Sequence, residues 1–492
     1  MMYQSTRDAS HKKYSAAEVI KMGLAPDGGL FIPESIPALT TEEIAALCAD
    51  SYPVRAAKIL GKFLTDYTYE ELLSDCEAAY AESSFPGGAA PLVHVHDNVY
   101  SLELWHGPTA AFKDMALQIM PRLLSRAIVK TGETRDALIL VATSGDTGKA
   151  ALEGYKDIDR IGIMVFYPVD GVSRVQKLQM ATQTGNNVNV CAIRGNFDDA
   201  QTGVKKIFGD AAMAEALAEK GYVLSSANSI NWGRLAPQIV YYVSAYCDLL
   251  NKGALKMGET MDVCVPTGNF GNIFAGYIAK LMGQPVRHFV CASNKNNILT
   301  DFLRTGTYDR NRDFHLTMSP SMDILISSNL ERLLCLTAGE ERTAAYMESL
   351  KKDGAYTVDS EVLASINENF SGYFADEAAT AETIKAYFEQ YGYLADTHTA
   401  VALSTAEQYM ATLDEVRPMV VDSTASPYKF AADVYESLGK NQPADPLAAL
   451  DELAAATGTE IPYPLRGLGE REVRFTKVID AEDMPAAVLE WC

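Results

Sequence analysis

Basic residues are scarce in this sequence: 42 Lys and Arg face 64 Asp and Glu, which gives a formal net charge of -22 over 492 residues. Proteins that bind nucleic acids or anionic membranes present clusters of Lys and Arg instead. We therefore expect no nucleic-acid partner and no membrane partner. A small anionic ligand stays possible, because a few local cations can hold it within an acidic protein.

Cysteine pairs and long apolar segments are also lacking. The eight cysteines are scattered without the short paired spacings of a zinc site or a redox pair, so we expect no metal. No segment approaches the roughly 20 apolar residues of a membrane span, and the polar N-terminus lacks the apolar core of a signal peptide. These features predict a cytoplasmic protein with reduced cysteines.

The chain is too long for one hydrophobic core, and its patterns change along its length. In 101–294 and again in 401–442, apolar strand patterns alternate with helical patterns, which predicts an α/β core with a doubly wound, largely parallel sheet. Residues 1–100 predict a mostly helical N-terminal unit, and 295–400 predict a mainly helical insertion. Residues 443–492 predict a tail that packs on the core.

One lysine, Lys113, stands near the start of a predicted helix. Apolar residues recur at helical spacing from Leu117 to Ile128, directly after it. Burial beside Trp105 and Phe112, together with the positive end of the helix, would disfavour the ammonium form of Lys113 and free its amine as a nucleophile. Most single lysines in such a place are ordinary surface residues, so its role depends on what the rest of the chain supplies.

A glycine-rich turn at 267–272 joins a predicted strand to a predicted helix. Such a turn aims several backbone N–H groups and the positive end of the helix at one point, which suits a phosphate. Asn269 and Asn272 can add side-chain donors. The turn lacks the Gly-Lys-Ser/Thr ending of a Walker loop and the three glycines of a dinucleotide fingerprint. Phosphate binding and a purely structural turn are equally open from these residues alone.

Hydroxyl groups follow two further predicted strands. In the turn 144–148, Ser144 and Thr147 could hold a carboxylate at the start of a helix, or they could simply cap that helix. In the stretch 422–430, the hydroxyl of Thr424 could hydrogen-bond an aromatic ring nitrogen without forcing its protonation. Turn formation explains this second cluster equally well.

A nucleophilic amine, a phosphate cradle, a carboxylate loop and a ring-nitrogen partner are together the requirements of lysine-bound pyridoxal phosphate. The sequence also resembles the threonine synthase family, whose members are pyridoxal-phosphate enzymes with the tryptophan-synthase-β-like fold, or fold type II. The resemblance extends over nearly the whole chain. It lies in residues 3–7, 24–33, 104–114, 144–148, 195–200, 228–234, 319–325, 396–400 and 423–425.

This resemblance implies a fold, a reaction and a cofactor. The fold would be α/β, with doubly wound and largely parallel sheets, an N-terminal unit and a helical insertion. Lys113 would be the catalytic residue and would form a Schiff base with pyridoxal 5'-phosphate. The implied reaction is that of a lyase in threonine biosynthesis. It converts O-phospho-L-homoserine and water to L-threonine and phosphate by γ-elimination and β-addition of water.

The resemblance also implies which other residues bind ligands. Five would hold the cofactor with Lys113: Gly268, Asn269, Phe270 and Asn272 at its phosphate, and Thr424 at its ring nitrogen. Six would hold the substrate: Ser144 and Thr147 at its carboxylate, Asn231 and Arg234 at its phosphate, and Lys177 and Lys149 as weaker phosphate candidates.

Two positions depart from the wider family pattern. Asp146 stands where the wider fold often has Asn, and its carboxylate would be repelled by a cofactor oxygen unless it were protonated or turned away. The stretch 426–430 resembles a His-Pro-Ala-Lys-Phe pattern in which Ser426 and Tyr428 replace His and Ala. This weakens any side-chain role at those two positions and leaves Thr424 unaffected.

Other functions remain alternatives at this point. A serine or threonine dehydratase or a sulfhydrylase shares the fold, and a catalytically silent homologue could bind a phosphorylated ligand. Arg234 favours a phosphorylated substrate, and the presence of Lys113 speaks against a silent homologue. An ATPase or kinase is excluded by the absence of a Walker lysine. We expect a monomer or a homodimer.

Overall fold

The computed structural model describes residues 1–8, 10–143, 145–170 and 172–492, which fold into helices packed on two main sheets. The strands are β1 (Tyr3–Ser5), β2 (Phe31–Pro33), β3 (Leu92–His96), β4 (Val99–Glu103), β5 (Asp136–Ala142), β6 (Ile161–Pro168), β7 (Val188–Arg194), β8 (Tyr222–Ser225), β9 (Met261–Pro266), β10 (Val286–Ser293), β11 (Thr307–Asp309), β12 (Ala355–Thr357), β13 (Phe370–Phe374), β14 (Met419–Ser423) and β15 (Val478–Asp480).

The helices lie before, between and after these strands. In the first half they are α1 (Ala16–Met22), α2 (Thr41–Leu47), α3 (Tyr52–Phe63), α4 (Tyr69–Ala79), α5 (Asp114–Leu117), α6 (Met120–Lys130), α7 (Asp146–Tyr155), α8 (Arg174–Ala181), α9 (Phe197–Gly209), α10 (Ala211–Glu219) and α11 (Trp232–Asn251). In the second half they are α12 (Gly271–Leu281), α13 (Ile298–Thr305), α14 (Leu330–Ala338), α15 (Glu340–Asp353), α16 (Ser360–Asn367), α17 (Glu377–Tyr391), α18 (Thr397–Met410), α19 (Ala431–Ser437), α20 (Ala448–Thr457) and α21 (Met484–Trp491).

Both main sheets are largely parallel. One has the strand order β13-β10-β9-β14-β4-β3 and is parallel except for the β3–β4 pair, and the other has the order β15-β7-β6-β5-β8 and is parallel throughout. The strands β6, β9 and β14 are buried along their whole length, as expected when helices cover both faces of a parallel sheet. The predicted doubly wound, largely parallel α/β fold is confirmed.

The N-terminal residues pack against the start of α11. The indole of Trp232 is fully buried there, with ring centroids 5.5 Å from Tyr3 and 5.8 Å from Phe63. The first strand, β1, pairs antiparallel with β2, and the Tyr3 hydroxyl donates to Phe63 O at 2.9 Å. This packing fixes the position at which α11 begins, and the candidate ligands Asn231 and Arg234 lie at that position.

Two local features differ from what the sequence patterns suggest. The apolar repeat after Lys113 forms two helices, α5 and α6, because Pro121 has no N–H and fits only in the first turn of a new helix. The segment 295–400 is mostly helical but also provides β13, which extends the first sheet beside β10. The serine and glycine at the centre of β13 weaken its strand signal, so only the pairing with β10 reveals it.

No helix in the described ranges is both long enough and apolar enough to cross a lipid bilayer.

Gly154 lies where α7 crosses α5, and its replacement by alanine is expected to destabilise the protein by about 2–3 kcal/mol through overpacking. A Cβ atom at this position would lie 1.9 Å from Leu117 O, and backbone atoms cannot move away as a flexible side chain can. The measurement is the free energy of unfolding in urea. Gly209→Ala is the matched control, because its Cβ would meet no atom within 4 Å. Equal stability of both variants would contradict this prediction.

Candidate active site

The candidate lysine lies at the edge where parallel strands of the first sheet end. The loop after β4 runs beside the turn after β14: Leu104 N donates to Ser423 O at 3.0 Å, and Phe112 N donates to Thr424 O at 2.8 Å. Lys113 follows at once and precedes α5. Backbone pairing therefore brings Lys113 and Thr424 together, although they are far apart in the sequence. The Thr424 hydroxyl donates to no acceptor among the described residues, so it is available to a ligand.

A buried carboxyl group fixes the turn that leads to Lys113. Asp114 accepts hydrogen bonds from Thr109 N at 2.8 Å and from the Thr109 hydroxyl at 2.7 Å. Burial raises the pKa of Asp114 to about 7, and the two bonds from Thr109 oppose this rise. Asp114 thus holds the loop in shape and leaves the neighbouring amine free to face the site.

The Lys113 amine is buried and close to few polar groups. Its Nζ lies 3.4 Å from Ser321 Oγ and 4.0 Å from Asp146 Oδ2, and 5.0 Å from the ring centroid of Phe112. Burial lowers the pKa of Lys113 to about 8; the Asp146 carboxylate opposes this shift, while the Arg234 cation adds to it. An amine with such a pKa is free in about one tenth of the molecules at pH 7, far more often than an ordinary lysine, and can act as a nucleophile and a base.

The glycine-rich turn before α12 forms a cradle of unused backbone donors. Its carbonyl groups are taken up inside the protein, because Ser327 Oγ donates to Gly268 O at 2.7 Å and Asn329 Nδ2 donates to Asn269 O at 3.0 Å. Among the described residues, none accepts a hydrogen bond from the N–H groups of 268–272. Phe270 has a positive φ of 61°, which turns the chain into the helix. These donors, at a helix N-terminus, suit a phosphate group.

Gly268 also permits close contact between this cradle and the Ser321 loop. A Cβ atom on Gly268 would lie 2.8 Å from Ser321 O, so a larger residue would push residues 319–323, the Ser321 loop, away from the cradle. Because Ser321 Oγ also contacts Lys113, the phosphate cradle and the amine both lie next to the same serine residue. This proximity is what a cofactor with a phosphate and an amine-reactive group requires.

Asn272 joins the cradle to a buried polar cluster. The hydroxyls of Tyr241 and Tyr242 both contact Asn272 Oδ1, and the Tyr242 hydroxyl lies 2.7 Å from Asp422 Oδ2. Burial raises the pKa of Asp422 to about 7, against the effect of the Tyr242 hydroxyl and the Asn272 amide. The Asn272 Nδ2 donor is buried and forms no well-aligned hydrogen bond in the described part of the chain, although its amide lies close enough to Asp422 to oppose the rise of that pKa.

Arg332 ties this cradle to the N-terminal residues, a role that the sequence patterns did not reveal. Its guanidinium is fully buried and donates to Phe31 O at 2.9 Å, to Ile230 O at 2.5 Å and to Asn329 Oδ1. Asn329 in turn holds the carbonyl of Asn269. One side chain therefore connects β2, the turn before α11 and the phosphate cradle.

The predicted carboxylate loop lies at the start of α7. Ser144 falls outside the described residues. Thr143 Oγ1 accepts from the N–H groups of Gly145 and Gly148, each at 3.0 Å, and so closes the turn. The Thr147 side chain is half-buried in the first turn of α7, and its hydroxyl makes no hydrogen bond to the described residues. Thr147 is therefore free to bind a ligand, and its contact with a substrate carboxylate stays a prediction.

A buried ion pair explains how Asp146 is accommodated beside Lys113. The Asp146 Oδ1 atom lies 2.8 Å from Lys429 Nζ and accepts from Gln176 Nε2 at 2.9 Å. Burial would raise the pKa of Asp146, but the Lys429 and Lys113 cations outweigh it and hold that pKa well below its usual range. The carboxylate is thus ionised and turned toward Lys429. The Lys429 side chain is fully buried, and it also donates to Gln179 Oε1 at 3.0 Å.

The two candidates for a substrate phosphate differ in availability. Arg234 is buried, donates to Ala227 O at 2.9 Å, and has no carboxylate partner among the described residues; burial lowers its pKa to about 10. Asn231 instead caps α11 with Oδ1 and donates to Ile20 O at 2.9 Å with Nδ2. Its amide is occupied by protein partners, so its predicted contact with substrate stays a prediction, as does that of Arg234.

The two weaker candidates are placed differently again. Lys149 is buried and its Nζ contacts Glu153 Oε2 at 2.8 Å as well as Gln183 Oε1, whereas Lys177 is exposed on α8. Lys149 is thus already paired with a carboxylate. Neither residue offers the unpaired buried cation that Arg234 provides.

Three family models match consecutive parts of the chain. Their descriptions are threonine synthase N terminus for residues 2–80, pyridoxal-phosphate dependent enzyme for 85–422, and threonine synthase C-terminal for 399–488. Together they cover almost the whole sequence.

Individual relatives agree with these models. A threonine synthase of Pseudomonas aeruginosa is 38% identical over 485 residues, which covers 97% of this chain and 95% of that protein. The threonine synthase-like 1 protein of Homo sapiens is 40% identical over 434 residues, and the match spans 86% of this chain but only 58% of that longer protein. The crystal structure of a pyridoxal-phosphate-bound threonine synthase from Brucella melitensis superposes with a TM-score of 0.88 and 36% identity, over 100% of this chain and 98% of that one.

Proposed function

Since this chain belongs to the threonine synthase family of pyridoxal-phosphate-dependent enzymes, we propose that it converts O-phospho-L-homoserine and water to L-threonine and phosphate. The observation that carries the proposal is the position of Lys113. Its buried amine and a cradle of unused N–H donors both lie next to Ser321, and the unpaired cation of Arg234 is close enough to lower the pKa of the amine. A phosphorylated substrate accounts for that second cationic position.

The residues around Lys113 fit the cofactor. Lys113 would hold it through Nζ, the N–H groups of 268–272 and the Asn272 amide would bind its phosphate, and the Thr424 hydroxyl would face its ring nitrogen. When bound, pyridoxal phosphate supplies an electron sink that stabilises carbanions. A hydroxyl partner, unlike a carboxylate, does not force a proton onto the ring nitrogen.

The protein groups then have separate tasks toward the substrate. Ser144 and Thr147 would hold its carboxylate at the start of α7, and Arg234 would bind its phosphate. Lys113 Nζ would take protons from Cα and Cβ and return one at Cγ, which its lowered pKa permits. Asn231 would act by fixing the start of α11, since its amide already binds Ile20 O and Gly233 N.

Compartment and assembly belong to the proposal as well. The eight cysteines are all unpaired, which supports a reducing compartment such as the cytoplasm. We propose a monomer or a homodimer, which sedimentation analysis can decide.

The direct test combines a spectrum with a product analysis. Protein purified with pyridoxal phosphate should be yellow. Reduction with borohydride should remove the colour and leave a covalent cofactor label on Lys113. The unreduced protein should release phosphate and threonine in equal amounts from O-phospho-L-homoserine. Deamination of serine without any action on O-phospho-L-homoserine would instead indicate a dehydratase and contradict the proposal.

Arg234→Met is expected to raise the KM for O-phospho-L-homoserine by about 10- to 100-fold, because it removes a charge-assisted bond to the substrate phosphate. Inhibition by inorganic phosphate should weaken by a similar factor. The variant should still bind the cofactor, because the described hydrogen bond of the Arg234 guanidinium goes to Ala227 O and not to the turn 268–272. If KM and phosphate inhibition both stay unchanged, Arg234 does not bind the substrate phosphate.

A further inference from the structure

Two sequence segments that the reaction leaves unused meet at the Lys113 amine. The first is 319–323, whose residues Pro320–Met322 form a short 3₁₀ turn, and the second is the start of α18. The contact between them is a hydrogen bond from Ser321 N to His398 Nε2 at 3.1 Å. Ser321 is at the same time the residue whose hydroxyl lies 3.4 Å from Lys113 Nζ.

The protein partners of His398 determine which ring nitrogen carries the proton. A backbone amide can only donate, so Nε2 must accept the bond from Ser321 and carry no hydrogen. The Nδ1 atom lies 2.8 Å from Asp396 Oδ2, and a carboxylate can only accept, so Nδ1 carries the proton. The ring is buried and packs 4.8 Å from the Phe430 ring, which fixes its plane.

Asp396 is in turn held rigidly by the helix that it caps. The carboxylate is fully buried and accepts from His398 N at 2.9 Å, from Thr399 N at 3.1 Å and from the Thr399 hydroxyl. Thr399 Oγ1 also lies 3.1 Å from the hydroxyl oxygen of Ser423, directly beside Thr424. The Asp396 carboxylate therefore connects two sides of the site, the Ser321 loop over the amine and the turn that carries Thr424.

The Ser321 hydroxyl has a property that the nearby carboxylate lacks. A hydroxyl can accept from an ammonium group and can also donate to a free amine, whereas a carboxylate only accepts. The amine of Lys113 must change between these two forms during proton transfer. Ser321 Oγ can keep the amine in place in both forms.

We propose that Ser321 is a catalytic residue that holds the Lys113 amine through its hydroxyl, and that His398 and Asp396 are positioning residues that set the Ser321 loop. This inference concerns the same site and rests on the proposed function. It gives a task to the histidine in segment 396–400 and to the serine in segment 319–325 of this chain.

The test uses Ser321→Ala and His398→Leu, with Ser321→Thr and His398→Gln as conservative variants that keep the hydroxyl and the acceptor. The first readout is the rate at which apoprotein takes up pyridoxal phosphate as a function of pH. Because a hydroxyl binds the ammonium form of Lys113 more strongly than its free amine, loss of the Ser321 hydroxyl should lower the pH midpoint of cofactor uptake by about 0.5 unit or more.

The second readout is the steady-state rate. In Ser321→Ala and His398→Leu, kcat should fall by about 10- to 100-fold, while KM should stay within about threefold of wild type.

Both conservative variants should recover most of the lost rate, and His94→Gln, at an exposed position on β3, should behave as wild type. An unchanged midpoint and kcat in Ser321→Ala would overturn the inference. An effect of Ser321→Ala that His398→Leu does not share would overturn the positioning role of His398. If His398→Leu fails to fold, the inference is decided by the pH midpoints and kcat values of His398→Gln and of Ser321→Ala, whose side chain is only half-buried.

The uptake readout needs only pyridoxal phosphate. Wild-type protein that takes up the cofactor but leaves O-phospho-L-homoserine unchanged would contradict the proposed function, while the midpoint of Ser321→Ala would still decide this inference.

Discussion

Replacing Lys113 with alanine is expected to lower kcat by about 10⁴-fold or more, because the same amine acts as nucleophile and as proton carrier. The fold should survive. The amine is buried with a pKa lowered to about 8, so its removal relieves a desolvation cost. It breaks the 3.4 Å contact with Ser321 and the 4.0 Å contact with Asp146, whose carboxylate keeps the Lys429 cation at 2.8 Å. We expect an unchanged or slightly raised thermal midpoint, measured beside the steady-state rate and the labelling by borohydride.

Two further variants show whether the loss of activity comes from the Lys113 amine itself or from its positive charge. Lys113→Arg keeps a positive charge at the position but offers no amine, so it should lose as much activity as the alanine variant. Lys205→Ala removes an exposed lysine on α9 and should keep both activity and the borohydride label. More than about 1% residual activity in Lys113→Ala would contradict the assigned role, since acid–base catalysis alone is worth 10²- to 10⁴-fold.

Strand ends explain why much of the candidate site could be predicted from the sequence. Lys113, the turn 267–272 and Thr424 each follow an apolar strand pattern, and the carboxyl ends of parallel strands meet at one edge of a sheet. The order β9-β14-β4 makes these three neighbours. Their proximity therefore follows from the fold class, once the strands are recognised.

The residues that the sequence patterns did not reveal act through partners distant in the chain. Ser321 contacts Lys113 across 208 positions, and no local spacing signals such a pair. Lys429 stands in a short apolar stretch, Pro427 to Phe430, and a lysine in that setting is a sign of a buried, paired cation. That sign could have singled out Lys429, but only the structure identifies Asp146 as its partner.

The fold was predicted less completely at its edges than at its centre. The buried strands β5, β6, β9 and β14 have short, largely apolar sequences rich in β-branched residues, which predict strands when turn residues flank them. The edge strand β13 contains a serine and a glycine, and it forms because β10 offers a free edge. Pairing of this kind depends on tertiary context that a local pattern does not contain.

Replacing Lys429 with methionine is expected to destabilise the protein by about 3–5 kcal/mol, the usual cost of leaving one member of a buried ion pair without its partner. Asp146 would keep only Gln176 at 2.9 Å and the more distant Lys113 amine. The free energy of unfolding in urea measures this loss. Lys429→Met should also raise the pKa of Lys113, since a repelling cation is removed while Asp146 remains.

The pH dependence gives this prediction a second readout and a sharp control. In the wild type, burial lowers the pKa of Lys113 from 10.5 to about 8, so cofactor uptake by the apoprotein should have its pH midpoint near 8. Lys429→Met should move that midpoint upward.

The double variant Asp146→Asn, Lys429→Met removes both charges, whose effects on the pKa of Lys113 oppose each other. The amide that replaces the Asp146 carboxylate can still bind Gln176. It should recover most of the stability and return the midpoint toward 8, because a buried ion pair costs little when both members are replaced. If the double variant is as unstable as Lys429→Met, the loss comes from packing around the lysine stem rather than from the unpaired charge of Asp146.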